Sequence, residues 1–177
     1  MSVLPRGVCA RYAWTMVFSW QPQSYKYNRK RTARSQGVRD AVTSPNKWRG
    51  TLIIGMGVDI AEVERIQGAI ERYGEVFLKR VYTVREREYC ERFKNKYERY
   101  AGRFAVKEAA MKALGTGWRR GVRWVDFEVV RETGGRPTLA ITGEAAKIAQ
   151  QLGVNSVALS ITHTAAQALA QVIFESQ

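Results

Sequence analysis

The chain has 177 residues, of which 45% are hydrophobic and 25% are charged, a composition typical of a folded globular protein. No apolar run approaches the roughly 20 residues that a membrane-spanning helix requires, so we expect no membrane span. Its two cysteines, Cys9 and Cys90, are too few for a disulfide framework, and neither belongs to a CxxC pair. A reducing, cytoplasmic setting is therefore predicted.

The net charge of +13 is unevenly distributed along the chain. Residues 1–51 contain ten Lys and Arg residues and one acidic residue, a net charge of +9. Residues 52–177 contain 19 basic and 15 acidic residues, a net charge of +4. A mild positive charge suits an anionic partner and does not by itself require nucleic acid.

Residues 1–51 are predicted to be a basic, disordered extension because they show no sustained hydrophobic period and are interrupted by three prolines. Three interpretations compete for this segment. We favour a misplaced start, with the working protein beginning near Leu52; the others are a targeting leader and an arm that binds nucleic acid. The arm supports the main rival function, a nucleic-acid-binding protein. We expect residues 52–177 to form the functional domain.

From Leu52 onward, the first half of this domain has regular patterns. The apolar, β-branched segment Leu52–Ile60 predicts a strand, and Glu62–Tyr73 has apolar residues at helical spacing. Thr83 and Glu86 form a capping box that begins a charged helix ending near Phe93. A long helix is expected from about Glu98 to Leu114, with Gly115 placed to end it in a left-handed cap.

The second half alternates predicted strands with one short helix. The expected elements are a strand Trp124–Arg131, a strand Thr138–Ile141 after a Gly-Gly-Arg-Pro turn, a helix Gly143–Leu152 stopped by Gly153, and the strands Ser156–Thr162 and Ala168–Phe174. This order predicts an α+β fold with a largely antiparallel sheet packed against the long helix.

Three charged residues are the candidate chemical site. Asp59 ends an apolar stretch, and Glu108 and Lys112 are four apart on the long helix, so they share one face. Two carboxylates suit Mg²⁺, which takes few protein ligands and completes its shell with water and phosphate oxygens. The structural alternatives are that Asp59 caps the helix beginning near Glu62, and that Glu108 and Lys112 are a surface pair.

The chain's single histidine is the other candidate. Ser160, Thr162 and Thr164 flank His163 with hydroxyl groups, which suits contacts to phosphate or ribose. A single His at the end of a strand is also a common structural feature, and no Ser-His-Asp triad is legible around it.

Three stretches together resemble the holo-[acyl-carrier-protein] synthases of the 4'-phosphopantetheinyl transferase superfamily. They are Gly-Met-Gly-Val-Asp-Ile followed by Glu64-Arg65-Ile66, then Gly102-Arg103-Phe104-Ala105-Val106-Lys107-Glu108-Ala109 continuing to Lys112 and Gly115, and Ser160-Ile161-Thr162-His163-Thr164. The resemblance runs from about Leu52 to the C-terminus.

The resemblance implies a role for each of these residues. It implies that Asp59 and Glu108 bind Mg²⁺ and are catalytic together with Lys112, which contacts phosphate. Our own interpretation of Lys107, from its place on the helix, is that it supports the site or faces solvent. It places coenzyme A on Arg103, Lys112, Ser160, Thr162, His163 and Thr164, and the acidic carrier on the helix of Arg65 and Arg72.

The resemblance also implies a reaction and an assembly. The 4'-phosphopantetheine group of coenzyme A is expected to pass to a serine of an apo acyl-carrier protein, leaving adenosine 3',5'-bisphosphate. A homotrimer with sites between subunits is implied. Carriers of polyketide or peptide synthesis are a narrower alternative, and the choice between Mg²⁺ and Mn²⁺ stays open.

Overall fold

The computed structural model describes residues 52–132 and 135–176, so the predictions for residues 1–51 lie outside the described residues. The elements follow one another as β1 (Leu52–Glu62), α1 (Val63–Val81), α2 (Val84–Glu91), α3 (Lys96–Ala113), a 3₁₀ turn (Trp124–Asp126), β2 (Phe127–Arg131), β3 (Pro137–Ile141), α4 (Gly143–Gln151), β4 (Ser156–His163) and β5 (Gln167–Ser176). The predicted α+β class is confirmed.

Every strand pair described is antiparallel. β1, β5 and β4 form a three-stranded sheet in that order, and β2 and β3 form a separate hairpin. Side chains alternate between the two faces of a strand, and the residues of β5 that face α3 are fully buried. They are Ala168, Ala170, Val172 and Phe174. The expected packing of a sheet against the long helix is thereby confirmed.

Helix α3 is the centre of the domain, since the sheet, α1 and α2 all pack against it. It ends as the sequence predicts. Gly115 has φ of 69°, its N–H donates to Lys112 O at 3.0 Å, and the Thr116 N–H donates to Met111 O at 3.2 Å. This pair of bonds is a Schellman motif, which satisfies carbonyls at the helix end.

Two predicted elements differ from the structure. The helix predicted to end at Tyr73 instead continues as α1 to Val81, after a break at Gly74 where φ is 51°. The strand predicted to begin at Trp124 opens with a 3₁₀ turn, because the Asp126 carboxylate accepts from the backbone N–H of Arg123 at 3.1 Å and curls the chain there. The Thr83 capping box of α2 is confirmed.

Glycines let β1 approach α3 more closely than any side chain would permit. Gly55 and Gly57 lie on the strand face that turns toward the helix. A Cβ atom at Gly55 would overlap the carbonyl oxygen of Ala113, and one at Gly57 would overlap that of Ala109. The strand backbone therefore lies directly on the helix backbone, and this contact sets the separation of the residues that follow.

Candidate metal and phosphate site

Asp59 lies on the strand face that approaches α3. It is two residues beyond Gly57, so the period of two along β1 directs its side chain to the same face. The side chain is mostly buried, with 16% of its surface exposed. The interpretation of Asp59 as a helix cap is wrong, because Asp59 lies within β1 and Glu62 occupies the N-cap of α1.

Glu108 meets this strand from the buried side of α3. Its Oε1 accepts a hydrogen bond of 2.6 Å from the indole Nε1–H of Trp124. Burial raises the pKa of Glu108 above its usual range, and the nearby negative charge of Asp59 acts in the same direction. The indole hydrogen bond and the charge of Lys112 oppose that rise. A buried carboxylate of this kind favours a partner of positive charge.

Lys112 completes the group from the next turn of α3. Its Nζ lies 2.7 Å from Asp59 Oδ1 and donates to Val58 O at 3.0 Å, with half of the side chain exposed. Burial raises the pKa of Asp59, and the Lys112 hydrogen bond and charge hold it down. The interpretation of Glu108 and Lys112 as an ordinary surface pair is therefore wrong, since Glu108 is buried and the ammonium pairs with Asp59.

The two carboxylates fit a hard divalent cation with few protein ligands. The part of the chain that the structure describes contains no group of three or more His, Cys, Asp or Glu residues placed to hold a metal. Mg²⁺ is commonly held by only one or two carboxylates, with water and phosphate oxygens completing the octahedron. Asp59 and Glu108 have that chemistry, and burial raises the pKa of both, so a cation would relieve the cost of their charges.

Lys107 is fully buried, so the alternative that it faces solvent is wrong. Its Nζ lies 2.7 Å from Glu86 Oε2 and also donates to the carbonyl oxygens of Trp124, at 3.1 Å, and Phe127. Burial lowers the pKa of Lys107, and the charge of Glu86 opposes that shift. The sequence does not predict Glu86 or Trp124 as site residues, because the contacts Trp124–Glu108 and Glu86–Val129 span 16 and 43 residues of the chain.

The residues around His163 do not form one cluster within a single chain. Ser160 and Thr162 are exposed and alternate with the inward-facing residues of β4, so they lie on the opposite sheet face from His163. The Oγ1 of Thr164 accepts backbone N–H bonds within the β4–β5 turn. The idea that the three hydroxyls surround the imidazole is therefore wrong for Ser160 and Thr162.

His163 is also distant from the carboxylates. Its Nδ1 lies 3.3 Å from Glu98 Oε2, near the start of α3. Glu98 and Glu108 are ten residues apart on that helix, which corresponds to about 15 Å along its axis. The structure thus brings Asp59, Glu108 and Lys112 together and leaves His163 outside that group.

The predicted arginine contacts occupy two regions. The Arg103 guanidinium lies 4.1 Å from the ring centre of Tyr89, and its buried Nε has no hydrogen-bond partner among the described residues. Arg65 and Arg72 lie two turns apart on α1, before the break at Gly74, with exposed side chains. Their assignments to coenzyme A and to the carrier stay predictions.

The family is decided by comparison with known proteins. The family model of the 4'-phosphopantetheinyl transferase superfamily matches residues 55–170, a span that includes Asp59, Glu108, Lys112 and His163. The chain belongs to this superfamily. The transferase is 62% identical over 125 residues to a holo-[acyl-carrier-protein] synthase of Solibacter usitatus, covering 71% of this chain and all of that protein. A synthase of Koribacter versatilis is 55% identical over 124 residues, with 70% and 99% covered.

Solved structures of holo-[acyl-carrier-protein] synthases share the fold of the transferase. The Neisseria meningitidis enzyme superposes with a TM-score of 0.65 and 31% identity, over 71% of this chain and all of that one. The Bacillus anthracis enzyme, solved in complex with coenzyme A (3',5'-ADP), gives a TM-score of 0.59 and 37% identity, over 71% and 98%. Among the described helices of the transferase, none has the length and apolar character needed to cross a membrane.

Proposed function

We propose that this transferase moves the 4'-phosphopantetheine group of coenzyme A to a serine of an apo acyl-carrier protein, giving the holo carrier and adenosine 3',5'-bisphosphate. The observation that carries the proposal is the meeting of Asp59, Glu108 and Lys112 at the contact of β1 with α3. The synthases to which the chain is 62% and 55% identical are named for this activity.

Asp59 and Glu108 are the residues that would hold Mg²⁺. When bound, the cation would neutralise charge on the pyrophosphate of coenzyme A. The indole of Trp124 donates to one oxygen of Glu108, so the other oxygen of that carboxylate remains for the cation.

Lys112 is suited to stabilise charge on the transferred phosphoryl group. Its ammonium has three donors, and the described contacts use two of them, on Asp59 Oδ1 and Val58 O. A phosphate oxygen next to Asp59 would take a further N–H, and the half-exposed side chain has access to solvent and substrate. A fixed cation that faces developing negative charge lowers the barrier to transfer.

The nucleophile comes from the carrier, so the transferase need not provide one. The serine oxygen forms a bond to the phosphorus that bears pantetheine, and the bond from that phosphorus to the oxygen of the adenosine 5'-phosphate breaks. The serine proton passes to a nearby carboxylate or to water. In this scheme the enzyme's residues position the groups and neutralise charge, which is the main contribution of proteins to phosphoryl transfer.

We also propose that the transferase is a homotrimer. The outer face of β1 exposes large apolar side chains, and no element among the described residues covers them. These side chains are Ile53 at 60%, Met56 at 58%, Val58 at 42% and Ile60 at 55% exposure. Contiguous apolar surface of this kind marks an association site. A second copy of the chain is the occupant we favour, because His163 lies far from the carboxylates of its own chain and a neighbour could supply it.

Recognition of the carrier is proposed for Arg65 and Arg72. Acyl-carrier proteins are acidic, and both guanidinium groups are exposed on α1, where they would steer the encounter. A cytoplasmic location stays a prediction.

The test of the function is mass spectrometry of an apo carrier incubated with coenzyme A, Mg²⁺ and the transferase. The carrier should gain one phosphopantetheine group. Asp59→Asn and Glu108→Gln should each abolish most of that gain with the fold intact, while Glu144→Gln, a neutralised acid on α4, should match the parent protein. Lys112→Ala should slow transfer even at saturating Mg²⁺. Near-normal rates for Asp59→Asn or Glu108→Gln at low Mg²⁺ would overturn the site.

A further inference from the structure

A buried ion pair joins Lys107, the sequence neighbour of Glu108 on α3, to Glu86 of α2. Glu86 and Lys107 are 1% and 0% exposed, with 2.7 Å between Oε2 and Nζ. The two oxygens of Glu86 also accept from the backbone N–H groups of Thr83, at 2.9 Å, and Val129, at 3.0 Å. The carboxylate therefore joins the start of α2 to β2 and to the central helix.

The other donors of Lys107 hold the turn that precedes β2. Its ammonium donates to the carbonyl oxygens of Trp124 and Phe127, which bracket the 3₁₀ turn. Together with Glu86, these acceptors use all three donors of a charged lysine. An apolar pair of similar volume usually serves stability as well as a buried ion pair does. The pair is thus better explained by what it fixes in place, and that is the backbone of Trp124.

The side chain of Trp124 connects this turn to the metal ligand. Its Nε1–H donates to Glu108 Oε1 at 2.6 Å, and the contact is buried. The indole is stacked against the ring of Trp118, with centroids 5.2 Å apart, and against Phe104, with centroids 6.5 Å apart. Packing against these rings restricts rotation of the indole, so its N–H stays directed at one carboxylate oxygen.

We propose that Trp124 is a positioning residue for the metal ligand Glu108, and that the buried Glu86–Lys107 pair fixes Trp124 for this purpose. The proposal rests on the proposed function, since it takes Glu108 to bind a divalent cation. Side chains that hydrogen-bond to metal ligands set the orientation of those ligands, and losing one typically lowers metal affinity or activity 10- to 100-fold.

The decisive variant is Trp124→Phe, which keeps an aromatic ring and removes the N–H. We expect its Mn²⁺ dissociation constant, measured by electron paramagnetic resonance of the free ion, to rise about tenfold or more. At saturating coenzyme A and carrier, the Mg²⁺ concentration for half-maximal transfer should rise by a similar factor, while the rate at saturating Mg²⁺ recovers to within about threefold of the parent. A change of this kind separates orientation of the ligand from loss of catalytic groups.

Two further variants serve as controls. Trp118→Phe makes the same substitution on the stacked neighbour but keeps a ring against the Trp124 indole, so it should weaken Mn²⁺ binding much less than Trp124→Phe does. Trp124→His keeps an N–H at the equivalent position of its five-membered ring, since imidazole Nε2 matches indole Nε1. This variant should recover part of the lost Mn²⁺ affinity at pH 8, where an unperturbed imidazole is neutral.

The outcomes distinguish this inference from the proposed function. If the parent protein binds no Mn²⁺, or if Glu108→Gln binds it equally well, the metal site itself is wrong and the inference fails with it. If the parent binds Mn²⁺ through Glu108 and Trp124→Phe has the same affinity, only the positioning role is overturned. An equal loss in Trp118→Phe and Trp124→Phe, or a loss in Trp124→Phe that Trp124→His does not lessen, would assign the effect to ring packing and would also overturn it.

Discussion

The close contact of β1 with α3 predicts that Gly57→Ala will damage both stability and transfer. A Cβ atom at this position would overlap Ala109 O and lie 2.9 Å from the backbone N of Ala113. Both neighbours are helix backbone, so neither can rotate away, and the strand would have to move by about 1.5 Å to restore ordinary contact distances. Overpacking of this kind costs about 1–3 kcal/mol. For a domain of this size, we expect the melting temperature to fall by about 4–12 °C.

The same displacement would carry Asp59 away from its partners. Asp59 follows Gly57 by two residues on the same strand face, and its Oδ1 now lies 2.7 Å from Lys112 Nζ. A shift of about 1 Å in a catalytic group can cost about 100-fold in rate, so we expect transfer to fall at least tenfold at 20 °C, where the variant should still be folded.

Gly68→Ala is the matched control for this substitution. Gly68 lies in α1, and a Cβ atom there would meet no atom within 4 Å. Alanine at an exposed helical position is favoured over glycine by about 1 kcal/mol, so this variant should melt at a higher temperature than the parent. Calorimetry and the carrier mass-spectrometry assay measure the two effects. Parent-like melting and transfer in Gly57→Ala would refute the claim that backbone contact sets the geometry of the site.

Four further predictions follow from other parts of the chain. Replacing only Lys107 by Met leaves the Glu86 carboxylate buried alone and should cost about 3–5 kcal/mol in urea unfolding, whereas adding Glu86→Gln should recover much of this loss; no recovery would contradict the ion pair. Burial raises the pKa of the Cys90 thiol from 9.0 to about 12, so the folded state holds this proton more tightly. The free energy of unfolding should fall by up to about 1.4 kcal/mol per pH unit between these values, and Cys90→Ala should flatten that slope; equal slopes would contradict the shift. Arg65→Glu should raise KM for the carrier about tenfold and leave KM for coenzyme A nearly unchanged, and added salt should weaken carrier binding by the parent; a rise in the coenzyme A value instead would move Arg65 to the nucleotide site. A chain that starts at Leu52, recoded as Met, should keep its melting temperature and transfer rate, and a large loss of either would show that residues 1–51 are integral.

Much of the fold could be predicted because it depends on short-range patterns. The capping box at Thr83 and the glycine cap at Gly115 each involve residues within five positions of one another, and the structure confirms both. Helix α1 does not end at the Gly74 break, because the residues after Gly74 resume helical geometry as far as Val81. Local patterns indicated where this helix bends but not how far it extends.

The meeting of two carboxylates and a lysine at the candidate site could be predicted in part. Asp59 and Glu108 were paired by residue type and by resemblance, and the structure places them together with Lys112. The support of Glu108 by Trp124 could not be read from the sequence, because a 3₁₀ turn and the loop before it determine where that indole lies.

The sequence itself argued against placing Ser160 and Thr162 beside His163. A strand directs alternate side chains to opposite faces, so Ser160 and Thr162 could not lie on the same side as His163 if the strand continued. The structure extends β4 to His163, one residue beyond the predicted end, and this extension settles the point. Periodicity along the strand was therefore more informative than proximity in sequence.

The alternation of side chains between the two faces of β1 limits which sequence changes this strand can accept, in engineering and in evolution. Gly57 and Asp59 face α3 and the candidate site. Met56, Val58 and Ile60 alternate with them and form the outer surface. A deletion of Gly57 would shift every following residue by one, turning Asp59 outward and pressing Val58 onto the helix. Point substitutions, in contrast, can reshape either set separately. This strand should therefore accept changes of side-chain identity more readily than a change in length by an odd number of residues.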